Sequence, residues 1–207
     1  MYFSYLELNT LATEFLLIFL HGLSGTPKEY YKMFSNIANS YSNVKMIFPI
    51  APIYEINLAK KMKINSWFSF EKRYIFFREE INSLKKSSQS IESFIKTQGF
   101  PPEKVILAGF SQGGAVAFYM GMISNIPYKG IVCIGGVLPF LGIRKPKVKQ
   151  RFLIIHGTED EYISIYFMRF LVSVLSLYDV DINFLEHNKN HIMPNCVTEI
   201  ILKYFIE

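Results

Sequence analysis

The sequence predicts an α/β fold in which a mostly parallel central sheet is flanked by helices on both faces. Three observations carry this prediction: short apolar runs of strand length recur along the chain, segments with helical spacing separate them, and 50% of the 207 residues are hydrophobic. Continuous apolar runs are typical of strands buried on both faces, and intervening helices let successive strands run parallel. No repeat or linker divides the sequence, so we expect one domain over residues 1–207, without a cap domain.

The first half of the chain is predicted to contain three strands and two helices. Alternating or continuous apolar residues predict the strands, which are Tyr2–Leu8, Glu14–Leu20 and Val44–Phe48. Helical spacing predicts the helices, which are Lys28–Ser40 and Phe77–Gln98. Gly99 and Pro101 follow the second helix and mark its end. The segment Asn57–Phe70 shows little periodicity, and we expect little regular structure there.

The second half continues this alternation. Apolar runs predict four further strands, which are Val105–Ala108, Gly130–Gly135, Arg151–His156 and Asp181–Glu186. Helical patterns predict one helix directly after residue 111 and two more, which are Ile165–Leu177 and Pro194–Phe205. Ligands of open α/β sheets bind at the carboxyl ends of the strands. We therefore expect the functional residues in the loops that follow the strands.

The loop after Val105–Ala108 reads Gly-Phe-Ser-Gln-Gly over residues 109–113, the G-x-S-x-G pattern of a nucleophile elbow. Ser111 would lie on a sharp turn that exposes its hydroxyl, and a Cβ at Gly109 or Gly113 would collide with neighbouring backbone. The N–H of the residue after the serine would point at a developing oxyanion from the start of a helix. The motif favours a catalytic Ser111 over a serine in an ordinary turn.

A serine hydroxyl needs a base, and with this elbow the expected chain order is serine, carboxylate, histidine. Asp160, in the loop after Arg151–His156, is the predicted carboxylate. Three other carboxylates compete with it. Glu159 and Glu161 are expected to be solvated loop charges, whereas Asp179 lies beyond the next helix, at the wrong end of the sheet.

Two histidines near the end of the chain are candidates for the base. His191 lies in the loop between the strand Asp181–Glu186 and the last helix, and His187 lies closer to the strand. Spacing favours His191 and leaves His187 open.

A second oxyanion donor is predicted in the loop His-Gly-Leu-Ser-Gly at residues 21–25, which follows an early buried strand. Elbow-type sites take one N–H from such a loop. The predicted donors are the N–H groups of Leu23 and Gln112, and His21 is expected to shape the turn through hydrogen bonds.

With these elements in place, the sequence resembles the acyl-protein thioesterase/carboxylesterase (phospholipase/carboxylesterase) family of α/β-hydrolases. The likeness runs nearly end to end, through His21-Gly22-Leu23, Ala51-Pro52, Ser66-Trp67-Phe68, the string Gly-Phe-Ser-Gln-Gly-Gly at 109–114, His156-Gly157-x-x-Asp160 and His191. The resemblance implies a triad of Ser111, Asp160 and His191. It also implies an oxyanion hole formed by Leu23 and Gln112.

The resemblance implies a serine hydrolase that cleaves carboxylic esters or thioesters through an acyl-serine intermediate, with no metal and no organic cofactor. Alternatives are a lysophospholipase, a short-chain carboxylesterase and, from another class, a catalytically idle α/β-hydrolase used for binding. In the family, the segment matching residues 51–70 borders the acyl pocket. Trp67 and Phe68 are therefore expected either to contact the acyl chain or to lie in the core, and Ile163 is expected beside the same groove.

The sequence departs from the family pattern at three places. Ser24-Gly25 stand where the family usually has Gly-Asp, Ser69 stands where Asp usually follows the Ser-Trp-Phe triplet, and Glu161 stands at a frequent proline position. The first two departures leave the substrate preference open.

Composition bounds the expected partners and location. The net charge of +5 is spread along the chain, and its basic clusters lack the interleaved aromatics or glycines of RNA-binding motifs. We expect no nucleic-acid partner, at most peripheral membrane contact, and a substrate that is a small molecule, a lysophospholipid or an acylated protein. The two cysteines cannot form a disulfide framework, and no secretion signal is recognisable at the N-terminus, so we expect a cytoplasmic protein.

Overall fold

The structure is a computed structural model that describes residues 3–57, 61–73, 76–136, 145–178 and 180–207. Its strands are β1 (Tyr5–Leu8), β2 (Phe15–Leu20), β3 (Val44–Pro49), β4 (Ile53–Asn57), β5 (Lys61–Asn65), β6 (Phe70–Arg73), β7 (Phe76–Glu79), β8 (Val105–Phe110), β9 (Gly130–Ile134), β10 (Arg151–Gly157) and β11 (Asp181–His187). Its α-helices are α1 (Pro27–Ser35), α2 (Ile81–Thr97), α3 (Gln112–Ile123), α4 (Ile165–Ser176) and α5 (Val197–Ile206).

Seven of the described strands form the central sheet, in the order β1-β3-β2-β8-β9-β10-β11. Of these seven, only β1 runs antiparallel to its neighbour, and the other pairs are parallel. This confirms the predicted mostly parallel sheet. Because β2, β8, β10 and β11 run in the same direction, the loops that follow them lie at the same carboxyl edge of the sheet.

Side chains alternate between two apolar layers because successive residues of a strand point to opposite faces. In β2, Leu16 and Ile18 pack with residues of α2, α3 and α4, whereas Leu17 and Phe19 pack with residues of α1 and α5. The helices therefore cover both faces, as predicted. No helix among the described residues is long and apolar enough to cross a membrane.

The prediction of little regular structure over Asn57–Phe70 is wrong. The chain forms two antiparallel hairpins, β4–β5 and β6–β7, each a separate two-stranded sheet outside the central one. Such strands do not need the long apolar runs of a strand buried on both faces, so their sequence signal is weak.

Three helix boundaries also differ from prediction by three or more residues. Phe77 lies in β7, and α2 starts at Ile81 because the Glu80 carboxylate caps it by accepting from the N–H groups of Asn82 and Ser83. In the predicted helix Lys28–Ser40, α1 ends at Ser35 and a 3₁₀ turn follows. The last helix begins three residues later than predicted.

Candidate active site

Ser111 lies between β8 and α3 with a backbone conformation that a serine rarely adopts, φ +53° and ψ −116°. The turn is held by hydrogen bonds from Ser111 N–H to Ile134 O (2.8 Å) and from Ala115 N–H to Ser111 O (3.0 Å). A Cβ on Gly109 would lie 2.3 Å from the carbonyl carbon of Gly113. The predicted steric requirement for glycine is confirmed, and the turn has the strain typical of functional sites.

Ser111, His191 and Asp160 form a hydrogen-bonded row. The Ser111 hydroxyl lies 2.9 Å from His191 Nε2, and His191 Nδ1 lies 2.7 Å from Asp160 Oδ2. With a proton on Nδ1, the imidazole donates to the carboxylate and accepts from the serine. These three residues have the mutual geometry of a nucleophile, a base and the group that orients the base.

Asp160 is held in place by more than the histidine. Its other oxygen, Oδ1, accepts from the backbone N–H groups of Tyr162 and Ile163, each at 2.9 Å. Burial would raise the pKa of the carboxyl, but the hydrogen bonds from His191, Ile163 and Tyr162 outweigh it and lower the pKa below its usual value. The carboxylate is therefore ionised at neutral pH, as a partner of an imidazolium must be.

Glu159 and Glu161 are exposed to solvent, as expected of loop charges. Asp179 falls outside the described residues.

The competing histidine, His187, ends β11 opposite Gly157, and among the described residues it makes no hydrogen bond with Ser111 or Asp160. His156 has no role predicted from the sequence. It is fully buried, with Nε2 2.9 Å from Ile163 O and 3.4 Å from Asp160 Oδ2. Its position in the string His-Gly-x-x-Asp is the only sequence signal that could have indicated this contact.

The loop at residues 21–25 lies beside the elbow. His21 is buried, its Nδ1 donates to Gly22 O (2.7 Å), and its Nε2 accepts from Ala51 N–H (3.0 Å). Burial lowers the His21 pKa, against the opposing effect of the Gly22 hydrogen bond. The imidazole is therefore neutral with a fixed tautomer, and it shapes the turn as expected.

The backbone N–H groups of Leu23 and Gln112, which lie at this edge, have no protein acceptor among the described residues. The neighbouring Ser24 has φ +57° and donates its N–H to Asn65 O at 2.8 Å, which ties the loop to the end of β5. Leu23 is half-buried, and Gln112 is the first residue of α3. Unpaired N–H groups on two adjacent loops can bind an anionic oxygen.

The side chains of Trp67 and Phe68 are 0% and 2% exposed. Trp67 and Phe68 both pack in a core cluster, and their expected contact with an acyl chain stays a prediction. The Trp67 indole donates to His21 O at 2.7 Å, so this side chain lies beneath the loop at 21–25. Ile163 is half-buried and packs against the same core cluster, while its backbone N–H binds Asp160. In the part of the chain that the structure describes, no three His, Cys, Asp or Glu side chains are arranged to hold a metal ion.

A family model described as phospholipase/carboxylesterase matches residues 7–203 of the sequence. The acyl-protein thioesterase 1 homolog 2 of Dictyostelium discoideum is 30% identical over 202 residues, which cover 90% of this chain and 91% of that protein. The acyl-protein thioesterase 1 of Schizosaccharomyces pombe is 29% identical over 69% of this chain and 67% of its own length.

Solved structures agree with the fold. The crystal structure of Zea mays acyl-protein thioesterase 2 superposes with a TM-score of 0.83 at 16% identity, covering 98% of this chain and 97% of that one. A Bacillus cereus carboxylesterase superposes with a TM-score of 0.76 at 16% identity, covering 98% and 93%. At these identities the likeness shows the fold alone, an α/β-hydrolase fold, as predicted.

Proposed function

The chain belongs to the phospholipase/carboxylesterase family of α/β-hydrolases, and from this premise we propose that it cleaves carboxylic esters or thioesters with Ser111 as its nucleophile. The observation that carries the proposal is the hydrogen-bonded row of Ser111, His191 and Asp160. Each contact is short enough for proton transfer or tautomer control without a rearrangement of the loops.

In the proposed reaction, Ser111 Oγ attacks the acyl carbon while His191 Nε2 takes the hydroxyl proton. The C–O or C–S bond of the substrate then breaks, and His191 returns the proton to the leaving group. A water molecule hydrolyses the acyl-serine by the same steps, with His191 again as the base. Asp160 holds the imidazole in the required tautomer and stabilises the imidazolium by its negative charge.

The negative charge that develops on the acyl oxygen needs hydrogen-bond donors that are already in place. We assign this role to the N–H groups of Leu23 and Gln112. Two observations support the assignment: both groups lack a protein acceptor among the described residues, and they lie on the loops that follow the neighbouring strands β2 and β8. Gln112 also starts α3, where the helix dipole adds partial positive charge.

The decisive experiment is Ser111→Ala. The variant should fold, lose labelling by a fluorophosphonate probe and lose ester hydrolysis by a factor on the order of 10⁴ or more. His191→Ala should be equally damaging, and His187→Ala is its matched control because, among the described residues, His187 makes no hydrogen bond with Ser111 or Asp160. Retained labelling at another residue, or a larger loss for His187→Ala, would reject the assignment.

The substrate class within this activity is a finer proposal, supported by the names of the thioesterase relatives. We expect substrates with acyl chains of medium length to have a higher kcat/KM than acetyl substrates, because each buried methylene contributes about 0.8 kcal/mol to binding. A series of p-nitrophenyl esters and acyl thioesters should show kcat/KM rising roughly tenfold for every two carbons until the binding groove ends. Acetyl esters as the best substrates would contradict this preference.

We also propose a cytoplasmic location. The support is that Cys133 is buried and Cys196 exposed, both as free thiols, which suits a reducing compartment. Fractionation of cells that express a tagged protein tests it, and recovery in a secreted fraction would reject it.

A further inference from the structure

Gln112 has a side chain that points away from solvent, being 5% exposed, into a turn formed by residues 66–68. Its Oε1 accepts from Trp67 N–H at 2.9 Å, and its Nε2 donates to Phe68 O and to Ser66 Oγ, each at 2.8 Å. The orientation of the amide is determined by these partners, because a backbone N–H must face an acceptor and a backbone carbonyl a donor. The side chain of the residue that starts α3 is thus fully engaged with this turn.

The same turn also holds the other oxyanion loop. The Trp67 indole nitrogen donates to His21 O at 2.7 Å, and His21 leads directly into the Gly22–Leu23 backbone. Ser66 and Trp67 are both fully buried, and the Ser66 hydroxyl donates to Phe68 O at 2.6 Å, which closes the turn on itself. One buried, hydrogen-bonded turn therefore contacts both chain segments that carry the Leu23 and Gln112 N–H groups.

We infer that the Gln112 amide and the Trp67 indole are positioning groups that fix the distance between the Leu23 and Gln112 N–H donors. The inference rests on the proposed function, in which those two donors bind the oxyanion. They come from separate loops, and no hydrogen bond among the described residues joins Leu23 directly to Gln112. A displacement of about 1 Å of a donor in such a site costs on the order of 10²-fold in rate. The hydrogen bonds that connect the two loops through residues 66–68, here called the brace, therefore affect catalysis.

Two conservative variants test the brace. Trp67→Phe keeps an aromatic ring and removes the donor to His21 O, whereas Gln112→Met keeps the length of the side chain and removes all of its hydrogen bonds. We expect each to lower kcat by roughly tenfold to a hundredfold with KM nearly unchanged. The affinity for a trifluoromethyl ketone transition-state analogue should fall by the same factor, because the analogue uses the oxyanion donors and a ground-state substrate uses them less.

Gln112→Glu supplies an independent readout. When protonated, the acid can still donate to Phe68 O and accept from Trp67 N–H, whereas the ionised form has lost the donor. The ratio of kcat for this variant to kcat for wild type should therefore be higher at about pH 5 than at about pH 8. The lower pH is near an ordinary carboxyl pKa, and the higher pH is well above it. A purely structural role predicts a constant ratio wherever both proteins are folded.

Phe94→Leu is the matched control for lost packing. Phe94 lies in the same core, edge-on to Phe3, which itself packs against Trp67. It should lower the thermal midpoint while leaving kcat and analogue affinity unchanged.

The inference is overturned if, at about pH 8, Trp67→Phe and Gln112→Glu are folded and bind the analogue as tightly as wild type. If Gln112→Met does not fold, these two variants decide the question. Failure of the proposed function is a separate result, since wild type itself would then not be labelled at Ser111.

Discussion

Gly113 lies directly against Leu20: a Cβ on this glycine would be 2.2 Å from the Leu20 carbonyl oxygen and 2.7 Å from that of His21. The first turn of α3 is therefore in contact with the end of β2. This approach brings the elbow beside the loop at residues 21–25.

Gly113→Ala should therefore destabilise the protein, because the neighbouring atoms are backbone and cannot move aside as a side chain can. We expect a loss of about 1–3 kcal/mol in the free energy of unfolding, measured in urea. Gly22→Ala is the control, since its Cβ would make ordinary contacts at 3.4 Å. Equal stability of the two variants would show that the two segments can separate without cost.

Asp160→Asn should lower kcat by a factor on the order of 10⁴. The two carboxylate oxygens accept from three N–H groups, so an amide must place its own NH₂ against one of these donors in either orientation. If the amide NH₂ faces His191, it donates to Nδ1 and the imidazole proton moves to Nε2. This tautomer cannot accept the serine proton. Steady-state kinetics measure the loss, and the exposed Glu159→Gln should retain wild-type activity. Near-wild-type turnover by Asp160→Asn would remove the carboxylate from the mechanism.

Stability should fall as the pH drops from about 7.5 to about 5, around the usual imidazole pKa. Burial lowers the pKa of His21, and it also lowers that of His187. As the pH falls, these two histidines are therefore protonated at a higher pH in the unfolded chain than in the folded protein. The stability contributed by these neutral histidines is present at pH values above their pKa in the unfolded chain. It is lost as the pH falls towards their lower pKa in the folded protein.

Thermal unfolding across this range tests the assignment to His21. His21→Gln retains an acceptor for Ala51 N–H. The thermal midpoint of this variant should depend less steeply on pH, and the remaining dependence is due to His187. An unchanged slope in this variant would assign the dependence to other groups.

Ser24→Gly should stabilise the protein by about 0.5–1 kcal/mol. Ser24 has φ +57°, a conformation that is costly for residues with a Cβ and favourable for glycine. The related family usually has glycine at this position, and the hydrogen bond to Asn65 O uses only the Ser24 backbone. Urea denaturation measures the gain, with Ser24→Ala as a control that keeps the strain. A less stable Ser24→Gly would mean that the hydroxyl contributes more than the strain costs.

The central sheet and the elbow could be predicted from sequence because few structures satisfy their patterns. A run such as Phe15–Leu20 has no polar face to expose and therefore forms a buried strand. The pattern Gly-x-Ser-x-Gly after such a strand is compatible with one type of tight turn, the nucleophile elbow. Chain order then restricted the partners of Ser111 to a few residues, among which spacing and family resemblance selected Asp160 and His191.

The turn at residues 66–68 could not be predicted in the same way. An aromatic residue near a site has the same local sequence whether it contacts ligand or lies in the core. The buried position of Trp67 depends on its contact with His21, which is 46 positions away in the chain. The hairpin β4–β5 was missed for a related reason, since its strands pair outside the central sheet.

The base of the proposed triad follows an edge strand of the sheet. β11 is at one end of the strand order, pairs among the described strands with β10 alone, and is followed by the loop that contains His191. Edge segments with few neighbours open at lower free energy than central ones. A transient detachment of β11 would carry His191 away from Ser111, 80 positions earlier in the chain, while β2, β8 and β9 stay paired. Enzymatic activity should therefore disappear at a lower urea concentration than the circular dichroism of the whole fold, which makes turnover a more sensitive indicator of incipient unfolding than secondary structure.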